Sequence, residues 1–140
     1  MVNIQDGDPR FWSLANTSTT NCTDAMYSKF NKDGGIMFSA KHNCNGPELI
    51  TTDRVQPRSW VHLAFVFNDK MNELKLYVNG KQSAYWNDPS SRAFLKKLYT
   101  NLFIGDHTDT NSNLAVAWFR IFSHALKEQD IVNDMNNTDA

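Results

Sequence analysis

Trp60-Val61-His62-Leu63-Ala64-Phe65-Val66-Phe67-Asn68-Asp69-Lys70-Met71-Asn72-Glu73-Leu74-Lys75-Leu76-Tyr77-Val78-Asn79-Gly80 is the stretch that decides the fold. Val61, Leu63, Phe65 and Phe67 recur every second residue, and so do Leu74, Leu76 and Val78. Period two marks a strand, because successive side chains point to opposite faces. The polar run Asn68 to Asn72 separates the two segments, so they form an antiparallel hairpin. Setting Asn68 opposite Glu73 places Phe67 against Leu74, Phe65 against Leu76 and Leu63 against Val78. The alternating apolar residues of both segments then land on one face, whereas a slip of one residue would mix the faces. Asn79-Gly80 favours a tight type I′ reversal into Lys81-Gln82-Ser83-Ala84.

Working outward, Gly34-Gly35 opens a strand at Ile36-Met37-Phe38-Ser39-Ala40, and the turn-rich Asn43-Cys44-Asn45-Gly46-Pro47 closes it. Thr17 to Asp24 is polar and reads as loop. Asn101-Leu102-Phe103-Ile104-Gly105 reads as a strand ending in glycine. Leu114 to Phe122 reads as another, with Ala115, Ala117, Phe119 and Ile121 on one face. Leu126, Ile131 and Met135 recur at near-helical spacing, so Lys127 to Met135 is expected to be a short helix against the sheets. Many short strands without alternating helices predict an all-β, two-sheet antiparallel sandwich with one C-terminal helix.

The chain has 140 residues, which fits a single domain spanning 1–140. A formal net charge of -1 leaves no basic surplus for phosphates, so nucleic-acid binding is excluded as a main role. No membrane span is expected, since the longest apolar candidate, Val61 to Phe67, is interrupted by His62. Asn3, Gln5, Asp6 and Asp8 stand where a signal peptide would be apolar; the expectation is a domain excised from a larger parent chain. Cys22 and Cys44 leave a disulfide and two free thiols equally open. Sequons at Asn16, Asn21 and Asn136 permit glycosylation without requiring it.

Trp60 to Phe67 followed by Leu74 to Lys81 resembles the W-x-H-[VL]-A…L-x-L-Y-V-[ND]-G-K hallmark of laminin-G-like domains of the concanavalin A-like lectin/glucanase superfamily. Leu102-Phe103-Ile104-Gly105 resembles that family's hydrophobic-Ile-Gly strand. Phe119-Arg120-Ile121-Phe122-Ser123-His124-Ala125-Leu126-Lys127-Glu128-Gln129-Asp130-Ile131 resembles its closing segment. Lys127 replaces the usual Ser or Thr there, so the helix lacks a side-chain cap. The resemblance covers residues 60 to 135 and implies a jelly-roll sandwich. It also implies a range of activities, from sugar binding and adhesion to glycoside hydrolysis and polysaccharide lysis, so fold alone assigns none.

Retaining glucanases similar to this family carry E-x-D-x-x-E on one strand, to hold two carboxylates about 5 Å apart. Glu48, Glu73 and Glu128 are the only glutamates and are scattered, so that motif is absent. A lyase needs a base beside a cation. The hairpin register puts His62, Lys75 and Tyr77 on the face opposite the aliphatic one, together with Trp60, Ala64 and Val66. His62 and Tyr77 also belong to the hallmark, where packing accounts for them.

Tyr85-Trp86-Asn87-Asp88-Pro89-Ser90-Ser91 reads as a loop whose adjacent aromatics either stack on saccharide or plug the core. Trp118 and Arg120 are expected opposite Phe119 and Ile121. An exposed indole there would be a sugar platform, although its size favours burial. Asp106, Asp109 and Asn111 supply oxygens suited to a calcium ion at a sandwich rim, though not in EF-hand spacing. The dispersed histidines make no zinc pattern.

The leading expectation is a carbohydrate-binding module for cell-surface or cell-wall polysaccharide, or for glycoprotein. Tyr85, Trp86, Trp118 and Arg120 are its candidate contacts. A polysaccharide lyase or hydrolase using His62, Lys75 and Tyr77 is the second reading, and a structural or adhesive domain of a surface or virion protein the third. All three place the chain outside a cell, on its surface or on a virion.

Overall fold

In the computed structural model, residues 10–15, 25–31, 33–41, 48–56, 58–68, 70–87, 101–104 and 115–137 are described. Among the described residues, eight strands and one helix follow in order. They are β1 (Arg10–Ala15), β2 (Ala25–Phe30), β3 (Gly35–Lys41), β4 (Glu48–Arg54), β5 (Leu63–Asn68), β6 (Glu73–Val78), β7 (Lys81–Asn87), β8 (Asn101–Ile104) and α1 (Glu128–Asn136). They form a five-stranded sheet in the order β4-β3-β2-β1-β8 and a three-stranded sheet in the order β5-β6-β7. Every pairing is antiparallel, as the sequence predicts. Among the described residues, no helix is long and apolar enough to cross a membrane.

The register deduced for the central hairpin is the one observed: Asn68 pairs with Glu73, Phe67 with Leu74, Phe65 with Leu76 and Leu63 with Val78. Leu74, Leu76 and Val78 are buried against the five-stranded sheet, where Trp12, Ile36, Phe38, Ala40 and Leu49 meet them. Trp12 and Phe38 close on Phe65 of the opposite sheet, with ring centroids 5.3 and 5.9 Å from it. The two sheets are therefore joined through an aromatic cluster at the centre of the core.

At the β6–β7 turn, Asn79 and Gly80 both have positive φ, 50° and 76°, as a type I′ turn requires. The Asn79 amide also donates to the His62 carbonyl at 2.8 Å, and the His62 amide donates back to Asn79 Oδ1 at 3.0 Å. A Cβ at Gly80 would lie 3.0 Å from Val132 Cγ2, so glycine serves both the turn and the seat of α1.

Strand β7 departs from the loop expected at Tyr85-Trp86: both residues lie inside it. Its register with β6 shifts by one residue between Leu76 and Tyr77. Tyr77 faces Gln82, while Leu76 faces Ala84 and Lys75 faces Tyr85, so Ser83 is the extra residue of a β-bulge. Ser83 is buried, and its Oγ accepts from the Asp53 amide of β4 at 3.3 Å. The bulge thus ties the two sheets together at one corner. It also decides which aromatic faces which way. Trp86 packs against the core and Tyr85 points out.

A second difference concerns Leu114 to Phe122. Its described part, residues 115–122, forms no strand. Trp118 has φ 57°, a left-handed conformation that a bulky side chain rarely adopts and that breaks an extended chain. Alternating apolarity states which face a strand would bury, but a strand also needs a backbone partner. Val116, Trp118, Ile121 and Phe122 are consequently exposed, and the expected burial of Trp118 is not realised: the residue is 61% exposed.

The helix forms where expected. Lysine has no acceptor with which to cap the first turn, as the sequence implies. Asp130 supplies the return half of the cap, its Oδ2 accepting from the Lys127 amide at 3.1 Å. Ile131, 1% exposed, is the helix's anchor on the outer face of the three-stranded sheet, against Val66 and Tyr77.

Candidate functional site

Helix α1 covers only part of that outer face. Ala64, Val66 and Tyr77 lie under Ile131 and Leu126, and the remainder stays open. Between the open part and the start of α1 lies a cleft of about 450 Å³ lined by Asn68, Glu73, Lys75, Tyr77, Gln82 and the residues 125–128. Alternation along β6 and the bulge in β7 put Glu73, Lys75, Tyr85 and Asn87 side by side on this face.

Their side chains make one bonded group. Lys75 Nζ lies 3.0 Å from Glu73 Oε2, and the Tyr85 hydroxyl donates to Glu73 Oε1 at 3.1 Å. Asn87 Nδ2 donates to the same hydroxyl at 3.1 Å. Lys75 Nζ stands 5.8 Å from the centre of the Tyr85 ring, within cation–π range. Both hydrogen bonds hold Tyr85 by its hydroxyl, yet the residue is 49% exposed.

The electrostatics follow from these contacts. The Lys75 hydrogen bond holds the Glu73 carboxyl below the usual carboxylate range, helped by the Tyr85 hydroxyl. The same bond raises Lys75. Burial pushes the Tyr77 phenol above its ordinary value, against the pull of Lys75. Glu73 thus stays ionised, Lys75 stays charged, and Tyr77 keeps its proton. None of the three is tuned toward neutral pH, where a general acid or base works best.

Lys75 and Tyr77 share the cleft, but His62 does not line it. His62 stands instead near α1, with Nε2 3.9 Å from Asp134 Oδ2, and Arg120 Nη1 bonds to the other oxygen of Asp134. Burial lowers the His62 pKa; the Asp134 carboxylate opposes this and the Arg120 cation adds to it. The imidazole Nδ1 is buried without a hydrogen-bond partner. Arg120 is thereby engaged with the helix, while Trp118, two residues before it, is open to solvent.

Of the four expected saccharide contacts, Tyr85 does not line the cleft but stands beside it, bonded to its lining residue Glu73, and Trp118 is on the open segment 115–122. Trp86 is turned to the core, and Arg120 is paired with Asp134. Sequence reasoning gave no binding role to Glu73, Gln82 or Asn87. The spacing of Glu73 and Lys75 two apart on one strand was a usable signal, since it places them on one face. The expected calcium ligands Asp106, Asp109 and Asn111 lie outside the described residues, as do Cys22 and Cys44. Among the described residues, no group of three or more His, Cys, Asp or Glu side chains is arranged to hold a metal ion.

No curated protein matches the chain significantly. Among solved structures, a similar one is residues 221–444 of an S-layer domain-containing protein from Clostridium thermocellum ATCC 27405. It is 19% identical over 94% of this chain, with a TM-score of 0.40; the match spans 64% of that chain. A likeness this distant carries no functional argument. A laminin-G-type family profile, described as the concanavalin A-like lectin/glucanases superfamily, matches residues 2–132. It takes in the N-terminal strands as well as the hairpin and the start of the helix. The chain therefore belongs to the concanavalin A-like lectin/glucanase superfamily.

Proposed function

We propose that this domain is a non-catalytic saccharide-binding module, with its ligand seated in the cleft beside Tyr85. The observation that carries this reading is the Tyr85 ring, half exposed and fixed by Glu73 and Asn87 within hydrogen-bonding distance. A sugar ring offers an apolar C–H face and a rim of hydroxyls. An immobilised aromatic ring ringed by a carboxylate, an ammonium and amides matches both, at little ordering cost on binding. The natural setting for such a module is the outside of a cell or virion, within a larger parent chain, on wall polysaccharide or glycoprotein.

Lyase or hydrolase chemistry has less support. His62 is separated from the Lys75–Tyr77 cleft, and the Glu73 carboxyl is shifted away from the raised value a general acid needs. The deciding experiment exposes the domain to a panel of wall and matrix polysaccharides and reads both retention and new chain ends. Retention without cleavage is expected. Accumulating reducing or unsaturated ends would overturn the binding-module reading, and an absence of retention on every glycan would favour an adhesive protein–protein role.

A further inference from the structure

The charges in the cleft narrow the class of glycan. Its charged lining consists of Glu73, Lys75, Lys127 and Glu128, so the signs cancel. The cation at the Tyr85 ring is not available either, since Lys75 is already bonded to Glu73 at 3.0 Å. A uronate or sulfate ester seated on Tyr85 would have to draw Lys75 away. That would leave Glu73 ionised beside a second anion, and like charges at such range repel. A neutral glycan meets no such conflict. Its hydroxyls donate to Glu73 and exchange donor and acceptor bonds with Asn68 and Gln82 of the lining, whose amides offer both.

Building on the saccharide-binding reading, we infer that the cleft takes an uncharged glycan and that Glu73 is the residue that rejects acidic ones. The Glu73–Lys75 pair works as a selectivity element: it supplies hydrogen bonds to hydroxyls while keeping the cation nearest the Tyr85 ring engaged. Specificity of this kind comes from a built-in repulsion as much as from attraction.

The test compares hydroxyethylcellulose and polygalacturonate as soluble probes in affinity electrophoresis, at low and high salt. The unmodified domain is expected to be retarded by the neutral polymer alone, with little salt dependence. Glu73→Gln frees Lys75 and should gain at least about tenfold in polygalacturonate binding, a gain that salt then abolishes. Glu128→Gln removes the same charge farther from Tyr85 and should gain much less; an equal gain would overturn the assignment to Glu73. Salt-sensitive preference of the unmodified domain for polygalacturonate would sink the uncharged-ligand inference while leaving saccharide binding intact. Failure to bind either polymer, together with the wider panel, would remove both.

Discussion

Phe38→Ala is expected to lower the unfolding free energy by about 3–5 kcal/mol, the range for truncating a buried phenylalanine. Phe38 is 1% exposed and lies between Trp12, with ring centroids 6.1 Å apart, and Phe65 at 5.9 Å. Truncation would empty the space through which the five-stranded sheet meets the three-stranded one. Neither ring can follow easily, because both are held on strands paired on one or both sides. A loss of that size is a large share of the roughly 5–15 kcal/mol that keeps a domain folded. Urea unfolding followed by tryptophan fluorescence reads it directly, as Trp12 reports on this cluster. A change under about 1 kcal/mol would mean that the sheets do not meet through Phe38.

The second large effect is on binding. Tyr85→Ala is expected to weaken retention on the recognised glycan by about 10- to 100-fold, corresponding to about 1.4–2.8 kcal/mol. Stability should change little, because half the ring is in water and the core contacts belong to Trp86. Tyr85→Phe separates the ring from its hydroxyl. It keeps the stacking surface and loses the bonds to Glu73 and from Asn87 that fix the ring, so its affinity should fall between those of the unmodified domain and Tyr85→Ala. Isothermal titration of the three proteins with one soluble glycan measures all of this. Equal affinities for Tyr85→Ala and the unmodified domain would move the site away from the cleft, toward the exposed Trp118.

The hairpin of β5 and β6 was legible because two independent signals agree. Its apolar residues alternate on both strands, and a closed polar turn leaves one register that buries them all. Helix α1 was legible from spacing, although its hold on Asp130 and the approach of Asp134 to His62 were not, since these depend on how the helix sits. The faces of Tyr85 and Trp86 were hidden for a sharper reason. Counting regularly back from the Asn79-Gly80 turn would put Tyr85 inward and Trp86 outward. Only the bulge at Ser83 reverses this, and a bulge leaves no mark in apolar periodicity. Residues 115–122 show the opposite limit, where the pattern of a strand is present without the paired backbone that makes one.

The bulge also sets where the gene can change length. Loss of the codon for Ser83 would turn β6 and β7 into a regular ladder, with Gln82 still opposite Tyr77 and Tyr85 still opposite Lys75. Such a deletion should keep glycan affinity within a few fold while giving up the link to Asp53, which paired titration and urea unfolding of the shortened domain would show. Loss of Leu76 from β6 has no spare residue to absorb it and would exchange inward and outward side chains beyond the break. Along this hairpin, the position most forgiving of a lost residue is thus next to the turn, upstream of the ring that matters most.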